Sequence, residues 1–129
     1  MIYLDTSVAL AHLLGEDRSP PASLWDGTLV SSRLLEYEVR TRLHALGLGS
    51  SHRDAAAQLL GRVAFVRLEP TVLARAVEPF PRPVRTLDAL HLSTVDYLVS
   101  HGQSMVLASY DARMIDVANA LGWAVYPCG

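Results

Sequence analysis

The segment Ile2–Leu4 is the feature that most constrains the fold, because three consecutive apolar residues predict a short strand buried on both faces. Strands of this kind belong to parallel sheets that are covered by helices on both sides. Asp5 follows at the carboxyl end of the predicted strand. Since ligands of open α/β sheets bind just outside that end, Asp5 is a candidate site residue. The alternative is a purely structural turn into a helix, with Thr6 or Ser7 as N-cap.

Strand-like and helix-like segments alternate along the rest of the chain. We predict further strands over residues 28–30, 64–68, 105–108 and 123–126. We predict helices over residues 8–14, 20–25, 54–63, 86–101 and 111–121, a long helix capped by Ser31 or Ser32 that ends near Gly47, and a helix that begins at Pro70 and stops at PFPRPV. This alternation predicts one three-layer α/β/α domain, residues 1–129, with a mostly parallel sheet of four or five strands.

The composition excludes several classes of protein. Half of the residues are hydrophobic, so the chain is not disordered. No apolar run is long enough to span a bilayer, so we expect no membrane association. Because the single cysteine, Cys128, has no partner for a disulfide, we expect the protein in the reducing cytoplasm. The high apolar content also predicts a surface that a partner covers, formed by Leu13, Leu14, Leu24, Trp25, Leu34, Leu35 and Tyr37.

The charge pattern leaves the question of a polyanionic partner open. The net charge of −2 argues against binding a polyanion through bulk electrostatics. However, all 11 basic residues are arginine, which suits bidentate contacts with phosphate. A GC-rich genome that avoids lysine codons would explain the same bias.

The predicted long helix carries two glutamates, Glu36 and Glu38, on opposite flanks of its apolar stripe. The helical period therefore does not choose between them. Each is followed four residues later by an arginine, Arg40 or Arg42, which is the pattern of a solvated ion pair.

Two more acids are predicted at the same edge of the sheet. Asp88 shares a helical face with His91 and Leu92, so the carboxylate lies on the side that packs inward, which is costly unless it binds a cation or is strongly hydrogen-bonded. We interpret His91 as a core histidine and not as a metal ligand. Asp111 follows a predicted strand and opens a helix, where N-capping is a sufficient structural explanation.

An all-oxygen cluster of this kind suits Mg²⁺ or Mn²⁺. Such a cation activates water and clamps a phosphate, which predicts phosphodiester hydrolysis.

The blocks IYLDTS, SSRLLEYEV, RTLDALHLSTVDYL and VLASYDARMIDVANALGWAV together resemble PIN-domain nucleases, in particular the VapC-type toxins of bacterial toxin–antitoxin systems. The resemblance spans nearly the whole chain. By position it assigns the catalytic and metal-binding acids as Asp5, Glu38, Asp88 and Asp111, with the hydroxyls of Thr6 and Ser109 in support. It prefers Glu38 over Glu36 because the family's glutamate stands six residues after a strand-end serine, here Ser32. Whether Glu36 contributes beside Glu38 stays open.

The resemblance implies a Mg²⁺-dependent endoribonuclease that acts on transfer or ribosomal RNA, forms a homodimer and is inhibited by a cognate antitoxin. Two other functions are weighed against it. A haloacid-dehalogenase-like phosphatase needs a second aspartate two residues after Asp5, where this chain has Ser7. A non-catalytic nucleic-acid or protein-binding module of the same fold predicts missing acids, whereas all four positions are filled.

Overall fold

The computed structural model describes residues 1–129. Its strands are β1 (Ile2–Leu4), β2 (Leu29–Ser32), β3 (Val63–Val66), β4 (Val106–Ala108) and β5 (Ala124–Val125). Its helices are α1 (Thr6–Leu14), α2 (Leu34–Ala45), α3 (Arg53–Leu60), α4 (Pro70–Ala76), α5 (Thr86–Ser100) and α6 (Ala112–Ala120), with a short 3-10 helix over Ala22–Asp26. The sheet order is β3-β2-β1-β4-β5, and all pairings are parallel. The predicted α/β class is confirmed, with five strands.

Strand β1 lies in the middle of the sheet and is covered on both faces, as its apolar residues predict. Tyr3 pairs with Val30 of β2 and with Leu107 of β4. The backbone N–H of Asp5 still bonds to Ala108 O at 3.0 Å, so the first residue after the strand is held against the sheet. Because all strands run in one direction, their carboxyl ends meet at one edge, and Asp5 lies there.

Each face of the sheet has its own apolar core. Tyr3 and Leu4 are both fully buried, and they point to opposite faces because side chains alternate along a strand. The Leu4 side is filled by helices α1, α2 and α3, with Val8, Leu35, Val39, Leu43 and Leu59. The Tyr3 side is filled by α5 and α6, with Leu92, Val95, Met114 and Val117. These two cores define the three predicted layers.

Some element boundaries differ from the prediction. The helix predicted over residues 54–63 ends at Leu60, and Val63 instead begins β3, where it pairs with Leu29. A short apolar run fits both a helix and a strand, and here the pairing with β2 decides. Thr86 is the first residue of α5 and not its cap. The N-cap of α2 is Arg33 and not Ser31 or Ser32, although Ser32 Oγ accepts a hydrogen bond from Leu34 N, in the first turn, at 3.1 Å.

The predicted partner surface is wrong for three of its residues, which complete the core instead. These three buried residues are Leu24, Leu34 and Leu35. Helices on both faces of the sheet hide more apolar side chain than the composition alone indicates. The half-buried members are Leu13, Leu14 and Trp25, and only Tyr37 is largely exposed, at 63%. The structure also has no helix whose length and apolar character would let it cross a membrane.

Candidate active site

Asp5 is buried at the carboxyl end of β1, and one of its two oxygens is fully engaged. Asp5 Oδ2 accepts hydrogen bonds from Ser7 Oγ at 2.6 Å and from Ser109 Oγ at 2.8 Å. It also caps α1 by accepting from Ser7 N. Asp5 Oδ1 has no hydrogen-bond partner, and no completely buried side-chain oxygen of the protein lacks one, so Oδ1 is not completely buried. Asp5 itself, and not Thr6 or Ser7 as predicted, is therefore the N-cap of α1, and its second oxygen is available to a ligand.

Ser109 connects Asp5 to the start of α6. Its Oγ donates to Asp5 and accepts from Asp111 N at 2.9 Å, so one hydroxyl sets the separation of two acids. Asp111 caps α6, because its Oδ1 accepts from Arg113 N at 2.9 Å and from Met114 N at 3.4 Å. The N-capping interpretation of Asp111 is confirmed, and it leaves only Oδ2 for any other role.

Glu38 is held by a chain of hydrogen bonds that runs through the core. Glu38 Oε1 accepts from Thr6 Oγ1 at 2.8 Å and contacts His91 Nε2 at 2.5 Å. On the other side of the imidazole, Nδ1 lies 2.8 Å from the Tyr3 hydroxyl, which in turn accepts from Ser32 N. The chain ties Glu38 on α2 to α1, α5 and β1. Glu38 Oε2 has no partner.

Burial and neighbouring charges determine the protonation of Tyr3 and His91 in this hydrogen-bonded network. Burial raises the pKa of Tyr3 well above its usual value, so the phenol stays protonated. For His91, burial favours the neutral imidazole, but the bond to Glu38 and the charges of Asp5, Glu38 and Asp88 outweigh burial and raise the pKa. His91 is a buried core histidine, as predicted, and it also orients a site residue.

Asp88 lies in the first turn of α5 and is paired with an arginine. Arg85 Nε contacts Asp88 Oδ2 at 3.1 Å, and Arg85 Nη2 contacts Asp111 Oδ2 at 3.1 Å, so one guanidinium bridges two acids. Burial raises the pKa of Asp88, the nearby charges of Asp111 and Asp5 act in the same direction, and Arg85 opposes them. These charge effects indicate that Asp5, Asp88 and Asp111 lie close enough to repel one another.

The two glutamates that sequence periodicity did not separate have different surroundings. Glu38 is bonded to Thr6, the residue after Asp5, and to His91, whose pKa the charges of Asp5 and Asp88 also raise, whereas Glu36 forms an exposed ion pair with Arg33 at 3.1 Å. The ion pairs expected with Arg40 and Arg42 do not form; neither arginine is paired with a glutamate. The structure thus brings Asp5, Glu38, Asp88 and Asp111 to one edge and leaves Glu36 on the surface.

The carboxylate oxygens at the carboxyl edge of the sheet are ligands that suit a hard cation, but they are not arranged as a complete metal site. No group of three or more His, Cys, Asp or Glu side chains is placed to hold a metal ion directly. Three of the acids, Asp5, Glu38 and Asp88, each keep one oxygen without a hydrogen-bond partner. Since Mg²⁺ keeps several waters and needs only one or two carboxylates, these oxygens suit it.

Sequence reasoning missed Tyr3, Ser7 and Arg85 as parts of the site. Tyr3 was assigned only to the strand, and nothing in the linear pattern shows that its hydroxyl supports His91. Arg85 left a weak signal, since it stands three residues before Asp88, a spacing that allows contact across one helical turn.

An α/β fold with oxygen donors at the carboxyl edge of a parallel sheet defines a class of protein suited to cation-assisted chemistry on a phosphate. Comparisons with known proteins agree. The sequence matches the PIN domain family over residues 2–120. It is 38% identical over 128 residues to ribonuclease VapC46 of Mycobacterium tuberculosis, covering 96% of this chain and 95% of that protein. It is 30% identical to ribonuclease VapC35 of the same species, covering 100% of this chain and 98% of that protein.

Solved structures show the same fold. One is the crystal structure of Mycobacterium tuberculosis VapC20, described as a sarcin-ricin loop cleaving toxin, with a TM-score of 0.70, 20% identity and coverage of 96% of this chain and 97% of that one. The other is VapBC2 of Rickettsia felis bound to a DNA fragment from its promoter, with a TM-score of 0.70, 13% identity and coverage of 98% of both chains. The chain belongs to the PIN domain family and, within it, to the VapC-type toxin ribonucleases. The resemblance described above is confirmed, and the phosphatase alternative is not supported.

Proposed function

We propose that this protein is a Mg²⁺- or Mn²⁺-dependent endoribonuclease, the toxin of a toxin–antitoxin pair, and that Asp5, Glu38, Asp88 and Asp111 form its catalytic centre. The observation that carries the assignment is the meeting of four carboxylates from four elements at one sheet edge, where Asp5, Glu38 and Asp88 keep a free oxygen. A bound cation would supply Lewis-acid activation of water and of the phosphate.

Each acid has a role that follows from its contacts. Asp5 and Asp88 are the principal ligands, because each keeps Oδ1 free while Oδ2 is anchored. Glu38 is rigidly held through Oε1, so Oε2 is placed to orient the attacking water or to complete the ligand set. Asp111 contributes through Oδ2, since Oδ1 caps α6. The hydroxyls of Thr6 and Ser109 fix Glu38 and Asp5, respectively.

The partners follow from the same assignment. The substrate is a structured RNA of the transfer or ribosomal class, in line with the sarcin-ricin loop named for VapC20. The protein partner is a cognate antitoxin, in line with the VapBC2 complex. A candidate docking place is the cavity of about 510 Å³ lined by His12, Leu13, Trp25 and α3. We also propose a homodimer, and action in the cytoplasm, which the unpaired Cys128 fits.

Cleavage of a labelled transfer or ribosomal RNA tests the activity. The purified protein should cut it with MgCl₂ or MnCl₂ and stop on addition of EDTA. Asp5→Asn should lower the rate by at least about 100-fold. The matched control is Asp54→Asn, the same chemical change at an exposed position of α3, which should cleave normally. Undiminished cleavage by Asp5→Asn would refute the assignment, and a wild type that binds RNA without cutting it would favour the non-catalytic module.

Growth of a host strain tests the toxin assignment. Expression of the chain alone should arrest growth, and co-expression with the small protein encoded beside it should restore growth. The Asp5→Asn variant should be harmless under both conditions. Growth arrest by that variant would show that toxicity does not come from cleavage.

A further inference from the structure

Arg85 occupies one carboxylate oxygen of Asp88 and one of Asp111 in the metal-free protein. Its guanidinium is bonded to Asp88 Oδ2 and Asp111 Oδ2, both at 3.1 Å. Because Oδ1 of Asp111 accepts the hydrogen bonds that cap α6, Arg85 occupies the oxygen of Asp111 that the cap leaves free. A cation therefore gains Asp111 Oδ2 only when Arg85 leaves.

The exposure and position of Arg85 allow its side chain to move away from the two carboxylates. Its side chain is 68% exposed, whereas the side chains of Asp88 and Asp111 are 13% and 17% exposed. Arg85 occupies the N-cap position of α5 in extended backbone, after the segment 79–84, which has no regular structure, and its long side chain can turn without a backbone change. Exposed ion pairs are weak, so a divalent cation that binds the same oxygens can displace it.

A groove next to the acids could hold the Arg85 guanidinium once it has left the carboxylates. The cavity of about 460 Å³ is lined by Arg82, Pro83, Val84, Arg85, Arg113 and Asp116. Neither Arg82 nor Arg113 forms an ion pair, and the only acid in the lining is Asp116. In a chain with a net charge of −2, this group of arginines is a local cationic surface next to the site. The planar guanidinium matches phosphate oxygens bidentately.

We propose that Arg85 exchanges partners: it is the internal counter-ion of Asp88 and Asp111 in the metal-free protein, and it becomes a ligand of an RNA backbone phosphate, beside Arg82 and Arg113, when a divalent cation takes the carboxylates. The inference rests on the proposed function. It makes Arg85 a competitor of the cation and a supporter of RNA binding, so removing it should affect these two affinities in opposite directions.

The first measurement is calorimetric titration of the RNA-free protein with MgCl₂. Arg85→Gln should bind Mg²⁺ more tightly than the wild type, by roughly three- to tenfold. The matched control is Arg82→Gln, which removes the same charge from the same groove but has no carboxylate partner; its affinity should stay within about twofold. Equal or weaker Mg²⁺ binding by Arg85→Gln would overturn the counter-ion role.

The second measurement is fluorescence anisotropy with a labelled single-stranded RNA of about 12 nucleotides in CaCl₂ at several salt concentrations, with gels to verify that the RNA is intact. Arg85→Gln should bind more weakly, and its slope of log K against log salt should be shallower by about 0.7, the loss of one phosphate contact. Arg53→Gln is the control. Arg53 is the first residue of α3 and lines a different cavity, together with Arg40 and His44, so the slope of this variant should equal that of the wild type.

The combined outcome separates the explanations. Tighter Mg²⁺ binding with weaker RNA binding supports the exchange. Loss of both affinities would mean that Arg85 only holds the site together, and the inference would be wrong. A wild type that binds Mg²⁺ and cuts RNA, with Arg85→Gln behaving identically, would remove the inference and leave the proposed function intact. A wild type that neither binds Mg²⁺ nor cuts RNA would remove both.

Discussion

Replacing Tyr3 by phenylalanine deletes one buried hydroxyl from the hydrogen-bonded chain behind Glu38 and keeps the ring. The Tyr3 side chain is completely buried. Its hydroxyl lies 2.8 Å from His91 Nδ1 and accepts from Ser32 N at 3.2 Å. The ring packs edge-on against the imidazole with centroids 5.9 Å apart, and phenylalanine preserves that contact. The variant therefore isolates the hydrogen bonds.

The expected loss of stability follows from the buried polar groups that lose the Tyr3 hydroxyl as a hydrogen-bond partner. Two buried polar groups, His91 Nδ1 and Ser32 N, lose a partner, and each unsatisfied group costs about 1 to 3 kcal/mol. Since phenylalanine also avoids the desolvation of a hydroxyl, we expect a net loss of about 2 kcal/mol. A 129-residue chain has an unfolding entropy of about 0.27 kcal/mol/K, so the melting temperature should fall by about 7 °C.

Urea denaturation and thermal melts in EDTA measure the effect. Tyr126→Phe is the matched control, because it removes a hydroxyl whose only contact is an exposed 2.6 Å bond to Ser23. The control should lose no more than about 0.5 kcal/mol. The urea m-value should be the same in all three proteins, which shows that the folded and unfolded states are comparable. A Tyr3→Phe protein as stable as Tyr126→Phe would refute the proposed support of Glu38 from the core.

Three shorter predictions concern the same site. Glu38→Gln should slow RNA cleavage by at least about tenfold, while Glu36→Gln should stay within about twofold; equal rates would place the wrong glutamate in the site. Ser109→Ala should cost about 1 to 2 kcal/mol in urea denaturation, because Asp5 loses a buried donor, and Ser109→Thr should recover most of it; identical losses would show that the hydroxyl is not the cause. The pKa of His91 is raised on folding, so its contribution to stability is complete below about pH 6.5 and declines as the pH rises through the higher folded value. In EDTA the decline should vanish in His91→Gln; a decline that persists would assign it to another group.

The alternation of strands and helices was readable from the sequence, because it depends on local patterns. Three apolar residues followed by Asp5 predicted a central strand, and glycines such as Gly15 marked the ends of several helices, whereas among the predicted N-caps only Asp111 was right. Where a short apolar run fitted two periods, as at Val63, the boundary was wrong, since pairing with β2 is a non-local event. The buried Leu24 and Leu35 were assigned to a surface for the same reason: burial depends on which faces meet.

For the candidate site, too, some features were predictable from the sequence and others depended on the tertiary structure. Asp5 and Asp111 were proposed because each follows a strand, Asp88 because of its helical face, and the resemblance selected Glu38. The tertiary structure alone decided that Glu38 is held by Thr6 and His91 while Glu36 is exposed, and that Arg85 bridges Asp88 and Asp111. Helical periodicity places two residues on the flanks of one stripe but contains no information about the neighbouring helix. Contacts between residues such as Glu38 and His91, 53 positions apart, exist only after the sheet has brought its helices together.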